Sequence, residues 1–272
     1  MIVGFYRAAI GGLPITEPGF GRKHQMMLAA ADLFMKWAVP TQIQTKLGPI
    51  SIDPLHDPER ALAYYFDNYV RHNRLSPLGR LISSMAPVGS FVDVGANLGS
   101  YSYLARLHGL KSYAVEPEPR FAAFLARNAA VFGPVAQVAL SSEPGELPLF
   151  YVPGNTGAQS LLASTDAVRS PNTVKVTTFS DLAASGAFGD PGEIRLVKVD
   201  VEGFEAEVVA GMTDFLQSCR PTIWCEVRGS GAKRAANSWR EVTRMMEVAG
   251  YSCRTQFDPD GIVFDLLFEP SR

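Results

Sequence analysis

A short motif of one acid, two glycines and an asparagine has the residue types needed to hold a small ligand. Asp93 lies at the end of an apolar run, and Gly95, Asn97 and Gly99 follow it in a turn that leads into a helix-forming stretch. A strand–turn–helix of this kind brings backbone N–H groups and a helix N-terminus up to a ligand. Glycine lets the backbone approach that ligand closely. We expect a ligand site here; the structural alternative is a tight turn in which Asp93 only caps the helix.

A second carboxylate lies where nucleotide-like cofactors are commonly held. Glu116 ends the next apolar run, roughly twenty residues after the glycine turn, where an acid accepts hydrogen bonds from ribose hydroxyls. The central glycine of a dinucleotide motif is replaced by Asn97, which disfavours the close approach of a pyrophosphate. The two carboxylates therefore indicate an adenosine-bearing ligand other than a dinucleotide.

A third group of ionisable residues follows two later apolar runs. Lys198 and Asp200 end one of these runs, and Glu226 ends the next. The carboxyl ends of strands in an open α/β sheet face the ligand site, so Asp200 and Glu226 are the predicted catalytic carboxylates. They suit a general base for a hydroxyl or, alternatively, oxygen ligands for Mg²⁺. Lys198 shares Asp200's face of the strand and can keep it ionised.

Two polar loops are expected to shape an acceptor pocket. The first, residues 154–160, offers Asn155, Gln159 and Ser160 to hydroxyl groups, and the second begins at Arg228. For the second loop, a solvated loop is at least as good an interpretation.

Two further acids follow Asp200 directly. Glu202 is a candidate for substrate contact, and an equally good interpretation is an acid favoured by the dipole of the following helix. For Glu205 the helix-dipole interpretation is preferred.

Together, the linked motifs resemble the FkbM family of methyltransferases. The resemblance rests on Asp93-Val-Gly-Ala-Asn-Leu-Gly99, Glu116-Pro117 and Lys198-Val-Asp-Val-Glu-Gly-Phe-Glu205, in that order, and covers about residues 86 to 268. It implies S-adenosylmethionine as methyl donor and O-methylation of a hydroxyl on a sugar, a glycan or a glycosylated secondary metabolite. The family's cofactor positions carried over to this sequence are Asp93, Gly95, Asn97 and Gly99 at the methionine end, Glu116 at the ribose and Ala139 beside the adenine.

The resemblance also implies an α/β fold with a doubly wound, mostly parallel sheet of seven strands, the Rossmann-like fold of class I methyltransferases. The hydrophobic pattern agrees, because apolar runs alternate with helical segments from residue 86 onward. The last two runs are joined by Asp258-Pro-Asp-Gly261, which is typical of a hairpin. One antiparallel strand is therefore expected. The predicted strands are 91–94, 112–116, 135–140, 194–200, 221–227, 251–256 and 262–268, with extra strands at 147–152 and 173–178.

Residues 1–85 carry no recognisable family pattern and are predicted to form a mainly helical N-terminal cap or appendage. Helices are expected over about 26–39 and 59–74, with a hairpin around Gly48-Pro49. Residues 86–272 are expected to form the methyltransferase domain.

Composition narrows the functional classes. The net charge of −2 gives no indication of nucleic-acid binding. Three cysteines without metal-ligand spacing favour a reducing, cytoplasmic compartment. No apolar run reaches the ~20 residues of a membrane span. The expected partner is a small-molecule or glycan acceptor. Two alternatives stay open: an NAD-type oxidoreductase, and a non-catalytic binding protein whose first 85 residues dock a partner or a membrane.

Overall fold

The chain divides into two compact units, residues 1–40 and 41–272. The computed structural model describes residues 40–85, 87–152, 155–161, 168–228, 235–257 and 263–271. The helix expected over 26–39 lies outside the described residues. The predicted domain boundary at residue 85 falls inside the second unit, to which the following description applies.

Strands and helices alternate through most of this unit. The described strands are β1 (Gln42–Thr45), β2 (Gly48–Ser51), β3 (Ser90–Val94), β4 (Lys111–Val115), β5 (Val135–Ala136), β6 (Ala139–Leu140), β7 (Gly145–Val152), β8 (Asn155–Ser160), β9 (Val168–Thr177), β10 (Ile194–Val199), β11 (Thr222–Arg228), β12 (Tyr251–Phe257) and β13 (Val263–Pro270). The described α-helices are α1 (Asp57–Leu75), α2 (Pro77–Met85), α3 (Ser100–Leu107), α4 (Pro119–Arg127), α5 (Ala129–Phe132), α6 (Phe179–Ala184), α7 (Glu205–Ala210), α8 (Thr213–Cys219) and α9 (Ala235–Val248).

The main sheet has seven strands, as expected, in the order β12-β13-β11-β10-β3-β4-β5. The pairings from β11 to β5 are parallel. Strand β13 runs antiparallel to both of its neighbours, β11 and β12. Over all described strand pairs, five are parallel and five are antiparallel. The prediction of a mostly parallel sheet is therefore corrected to a mixed one. The described strands form five antiparallel pairs, against four parallel pairs in the main sheet and one in the second.

A second sheet interrupts the alternation between β5 and β10. The predicted strand 135–140 is broken: β5 pairs with β4 in the main sheet, whereas β6 pairs with β9 in a four-stranded sheet of order β6-β9-β7-β8. Strands β7 and β9 correspond to the extra strands predicted at 147–152 and 173–178. The chain therefore leaves the main sheet after β5 and builds this second sheet before it returns in β10.

Helices cover both faces of the main sheet. Strand β3 is buried along its whole length, and its successive side chains point to opposite faces. Phe91 packs in one cluster with Leu196 of β10 and with Leu78 and Ile82 of α2. The second cluster holds side chains from the opposite face and from α6 to α9: Val92, Val197, Phe179, Val208, Phe215, Val242 and Met246.

The N-terminal part of the unit is fastened to this core. The predicted hairpin is formed by β1 and β2. The Asn128 side chain accepts a hydrogen bond from Ser51 N at 2.6 Å and donates one to Ser51 O at 3.0 Å. In the part of the chain that is described, no helix combines the length and apolar character needed to cross a bilayer.

Candidate functional site

A cavity of about 650 Å³, measured with its open mouth, lies where β3, β4 and β10 end. Six of the predicted site residues form part of its wall: Gly95, Asn97, Glu116, Ala139, Asp200 and Glu202. The other lining residues, mostly apolar, are Val94, Val115, Pro117, Val138, Leu140, Leu149, Leu161, Val201 and Phe204.

Gly95 is required where the turn after β3 meets the end of β10. Its φ is +75°, and a Cβ at this position would lie 1.8 Å from the backbone oxygen of Asp200. Asp200 N donates to Val94 O at 3.2 Å in the same place. The backbone of the glycine turn and the predicted base are thus held in direct contact.

Gly99 has a different neighbourhood. A Cβ there would meet the side chains of Leu125 at 2.6 Å and Phe132 at 2.8 Å. Gly99 therefore allows the start of α3 to pack closely against α4 and α5, and it is not among the residues that line the cavity.

Glu116 is a buried carboxylate that holds the glycine turn. Its Oε2 accepts a hydrogen bond from Asn97 N at 2.7 Å, and its Oε1 accepts one from Glu118 N at 2.9 Å. Burial raises the pKa of Glu116 to about 7, although both hydrogen bonds act in the opposite direction. The side chain is 5% exposed and lines the cavity, so a ligand there would meet a carboxylate whose oxygens have lone pairs to spare.

Asp93 is buried and is not among the residues that line the cavity. Its Oδ2 accepts hydrogen bonds from Ser102 N at 3.0 Å and Ser102 Oγ at 2.8 Å. Its Oδ1 lies 3.3 Å from Lys198 Nζ. These contacts tie β3 to the first turn of α3 and to β10, which is close to the capping alternative considered above.

Lys198 is a buried cation between two acids. Its Nζ lies 3.3 Å from Asp93 Oδ1 and 3.2 Å from Asp200 Oδ2, and it donates to Gly95 O at 3.0 Å. Burial alone would lower the pKa of Lys198, but the charges of Asp200 and Asp93 raise it well above its ordinary value. Lys198 therefore stays protonated, and the predicted contact with Asp200 is formed. The Asp200 side chain is 26% exposed and faces the cavity.

Two more carboxyl groups lie beside Asp200. Glu226 is the register partner of Asp265 across the β11–β13 pairing. Burial, and then the charges of Asp200 and Asp265, raise the pKa of Glu226 to about 8. Burial likewise raises the pKa of Asp265 to about 6, against the effect of its 3.2 Å hydrogen bond from Trp224 Nε1. The raised pKa of Glu226 favours its protonated form at neutral pH.

Asp265 was not among the predicted site residues. It stands inside the apolar run Val263-Phe-Asp-Leu-Leu-Phe268, and an acid in such a run usually has a partner or a function. The pairing of Asp265 with Glu226 depends on how β11 and β13 align in the sheet. The sequence of this run does not indicate that alignment.

Several predicted substrate contacts remain predictions. Asn155, Gln159 and Ser160 belong to β8, and Arg228 ends β11, but their side chains lie outside what the structure describes. Within the described residues, no group of three or more His, Cys, Asp or Glu side chains is arranged to hold a metal ion. The Mg²⁺ alternative therefore has no support from this part of the chain.

Comparison with known proteins identifies the class. The methyltransferase FkbM domain model matches residues 93–253, more than half of the sequence. The chain therefore belongs to the FkbM family of methyltransferases, and the resemblance deduced from the motifs is confirmed. No curated protein matches the sequence.

Solved methyltransferases are similar to the chain at low identity. The methyltransferase FkbM from Methylobacillus flagellatus KT is 13% identical with a TM-score of 0.45, over 90% of this chain and 60% of that one. Magnesium protoporphyrin IX methyltransferase from Synechocystis PCC 6803, solved with bound SAM, is 12% identical with a TM-score of 0.43, over 94% and 100%. Ribosomal protein L11 methylase from Lactobacillus delbrueckii subsp. bulgaricus is 11% identical with a TM-score of 0.41, over 72% and 78%. The chain thus spans 60% of the length of the M. flagellatus protein.

Proposed function

We propose that this chain transfers a methyl group from S-adenosylmethionine to a hydroxyl of a sugar, a glycan or a glycosylated secondary metabolite. The observation that supports this most is the cavity, which brings the glycine turn, the Glu116 carboxylate and the Asp200 carboxylate into one wall. The family of the chain supports the methyl transfer itself.

The residues present fit the cofactor. Glu116 accepts one backbone N–H on each oxygen, so the remaining lone pairs can accept ribose hydroxyls. Val138, Ala139 and Leu140 line one side of the cavity and suit the apolar faces of an adenine ring. When bound, S-adenosylmethionine supplies a methyl group already activated by a positively charged sulfur. The chain must then chiefly position the acceptor and exclude water.

Asp200 is the proposed general base. A sugar hydroxyl is a weak nucleophile at neutral pH, and a positioned base contributes typically ~10²–10⁴-fold to the rate. Asp200 lines the cavity and is a quarter exposed, so it can reach an acceptor hydroxyl and take its proton. The buried ammonium group of Lys198, 3.2 Å away, stabilises the charged carboxylate. Lys198 therefore acts through Asp200.

Acceptor contacts extend this proposal to other parts of the chain. Glu202 lines the cavity and is proposed to bind acceptor hydroxyls, together with Asn155, Gln159, Ser160 and Arg228. Residues 1–85 are proposed to cap the acceptor pocket and set its specificity, and a cytoplasmic location is proposed from the free cysteines.

A panel of neutral glycans and glycosylated small molecules, incubated with methyl-labelled S-adenosylmethionine, tests the function. We expect labelled, base-stable product with the wild type and a strong loss with Asp200→Asn. The matched control is Asp214→Asn, an exposed acid in the first turn of α8, which should label acceptors like wild type. Binding of the donor without transfer to any acceptor would favour the non-catalytic alternative. Binding of NADH in place of the donor would overturn the proposal.

A further inference from the structure

The loop between β10 and α7 contains an unfavourable backbone turn at the cavity wall. Glu202 has a φ of +57° and Gly203 has a φ of +100°. A left-handed conformation costs roughly 1–2 kcal/mol for a residue with a side chain, so Glu202 needs tertiary support to stay there. The loop residues Val201, Glu202 and Phe204 all line the cavity, directly after Asp200. The shape of this turn therefore decides part of the binding surface.

Glu205 supplies contacts that hold the turn. Its Oε1 accepts hydrogen bonds from Gly203 N at 2.8 Å and from Val201 N at 3.3 Å. The side chain is 1% exposed. Its Oε2 is buried and has no hydrogen-bond partner among the described residues. The helix dipole also acts on first-turn acids that stay at the surface. The dipole therefore gives no reason for Glu205 to be buried. Burying a carboxyl group with one oxygen unpaired costs free energy. The gain that offsets this cost is the pair of hydrogen bonds to the loop.

We infer that Glu205 is a positioning residue of the methyltransferase site, which fixes the Asp200–Phe204 loop in its binding shape by accepting the Gly203 and Val201 N–H groups. The hydrogen bonds of Glu205 to the loop support the positioning role itself. The effect of that role on methyl transfer rests on the proposed function. This role requires no contact between Glu205 and the cofactor or the acceptor. Its effect reaches the cavity through the backbone of the loop.

The accepting oxygen, rather than the negative charge, is the essential part of the side chain. Burial raises the pKa of Glu205 to about 7, against the effect of the Gly203 hydrogen bond, so a neutral side chain is tolerated near neutral pH. Glutamine keeps an oxygen in the place of Oε1 and removes the charge. Alanine removes both. The two substitutions therefore separate hydrogen bonding from charge.

The test measures S-adenosylhomocysteine binding by calorimetry and amide hydrogen exchange at Gly203 in wild type, Glu205→Ala and Glu205→Gln. We expect Glu205→Ala to weaken binding by about tenfold or more, which corresponds to the loss of roughly one hydrogen bond that organises the loop. We also expect it to lose protection at Gly203. Glu205→Gln should bind within about threefold of wild type and keep that protection.

Two controls separate positioning from general stability. Val242→Ala removes part of a fully buried side chain in α9 that does not line the cavity, so it lowers the melting temperature without altering affinity. Asp214→Ala removes a first-turn acid from a different helix, α8, and so controls for the loss of an acid at a helix start. Both should bind S-adenosylhomocysteine like wild type.

The outcomes distinguish the inference from the proposed function. Unchanged affinity and unchanged Gly203 protection in Glu205→Ala would overturn the inference, and so would a Glu205→Gln protein as impaired as Glu205→Ala. If Glu205→Ala does not fold, Glu205→Gln decides: wild-type protection and affinity support the inference, and loss of either overturns it. If the wild type binds no S-adenosylhomocysteine, the proposed function fails, and the exchange at Gly203 alone decides the inference.

Discussion

Replacing Lys198 with methionine should destabilise the protein strongly, because it removes the only cation described in contact with Asp93 and Asp200. With an effective dielectric constant of about 20, each ion pair at ~3.3 Å corresponds to roughly 5 kcal/mol of attraction before desolvation is counted. Measured losses on breaking a buried pair are typically about 3–5 kcal/mol. Asp93 is 1% exposed and Asp200 is 26% exposed, so most of the loss should come from Asp93, which water cannot reach.

For a domain of this size, about 3–5 kcal/mol corresponds to a fall in the melting temperature of roughly 10 °C. Circular dichroism during thermal and urea unfolding at pH 7 measures it. The matched control is Lys111→Met, which breaks the 2.6 Å pair with Glu193 at the surface and should leave the melting temperature unchanged. Asp93→Asn combined with Lys198→Met should be less destabilising than Lys198→Met alone, because asparagine keeps an acceptor for Ser102 without the unpaired charge.

The dependence on pH gives an independent check. The folded pKa of Lys198 is raised above its ordinary value of 10.5, so the stability that Lys198 contributes is fully present below pH 10.5 and is constant over pH 5–9. A Lys198→Met protein that melts within about 2 °C of wild type over pH 5–9 would refute the assignment of the buried pair.

Three further outcomes follow from the site. Asp200→Asn should lower kcat by ~10²–10⁴-fold and change S-adenosylhomocysteine affinity far less; near-normal turnover would remove Asp200 as the base. The pKa of Glu116 is raised to about 7, and its ionised form is the better acceptor, so S-adenosylhomocysteine should bind about tenfold more tightly at pH 8 than at pH 6. Calorimetry should show that Glu116→Ala binds weakly and without this dependence on pH. A wild-type affinity that does not change with pH would contradict the prediction. Gly95→Ala should cost about 3 kcal/mol or more in urea unfolding, since its Cβ would lie 1.8 Å from Asp200 O, whereas the control Gly145→Ala, with nothing within 4 Å, should be neutral; equal stability of the two variants would show that the turn can move.

The strand–turn–helix at the site could be predicted because the residues that specify it are close together in the sequence. The run ending at Asp93 and the turn with Gly95 specify a strand–turn–helix within a dozen residues, and β3 and α3 follow. Pro119 begins α4 as its fixed φ suggests, and Glu118 caps that helix by accepting from Phe121 N.

The prediction was less complete where the outcome depends on distant pairing. The apolar run 135–140 is continuous in sequence, yet β5 and β6 belong to different sheets because their partners, β4 and β9, do. Burial raises the pKa of Glu226, and the charges of Asp200 and then Asp265 raise it further. Asp265 lies 39 positions later in the chain and meets Glu226 only through the β11–β13 register.

The support given by Glu205 to the turn at Glu202 also had no sequence indication. The motif shows an acid three residues after another, and a helix start explains that pattern equally well. Burial of Glu205 and the positive φ of Glu202 are needed to tell the two interpretations apart.

The segment that builds most of the second sheet begins and ends at neighbouring positions in the structure. Leu140 and Thr177 are register partners in the parallel β6–β9 pairing, and Ser141 N donates to Thr177 O at 3.0 Å. The intervening segment contributes Leu149 and Leu161 to the cavity, whereas the glycine turn, Glu116 and Asp200 come from the main sheet. Exchange of this segment between family members would therefore need only two neighbouring splice points. Chimaeras joined there would test, under the proposed function, whether this segment sets the acceptor preference.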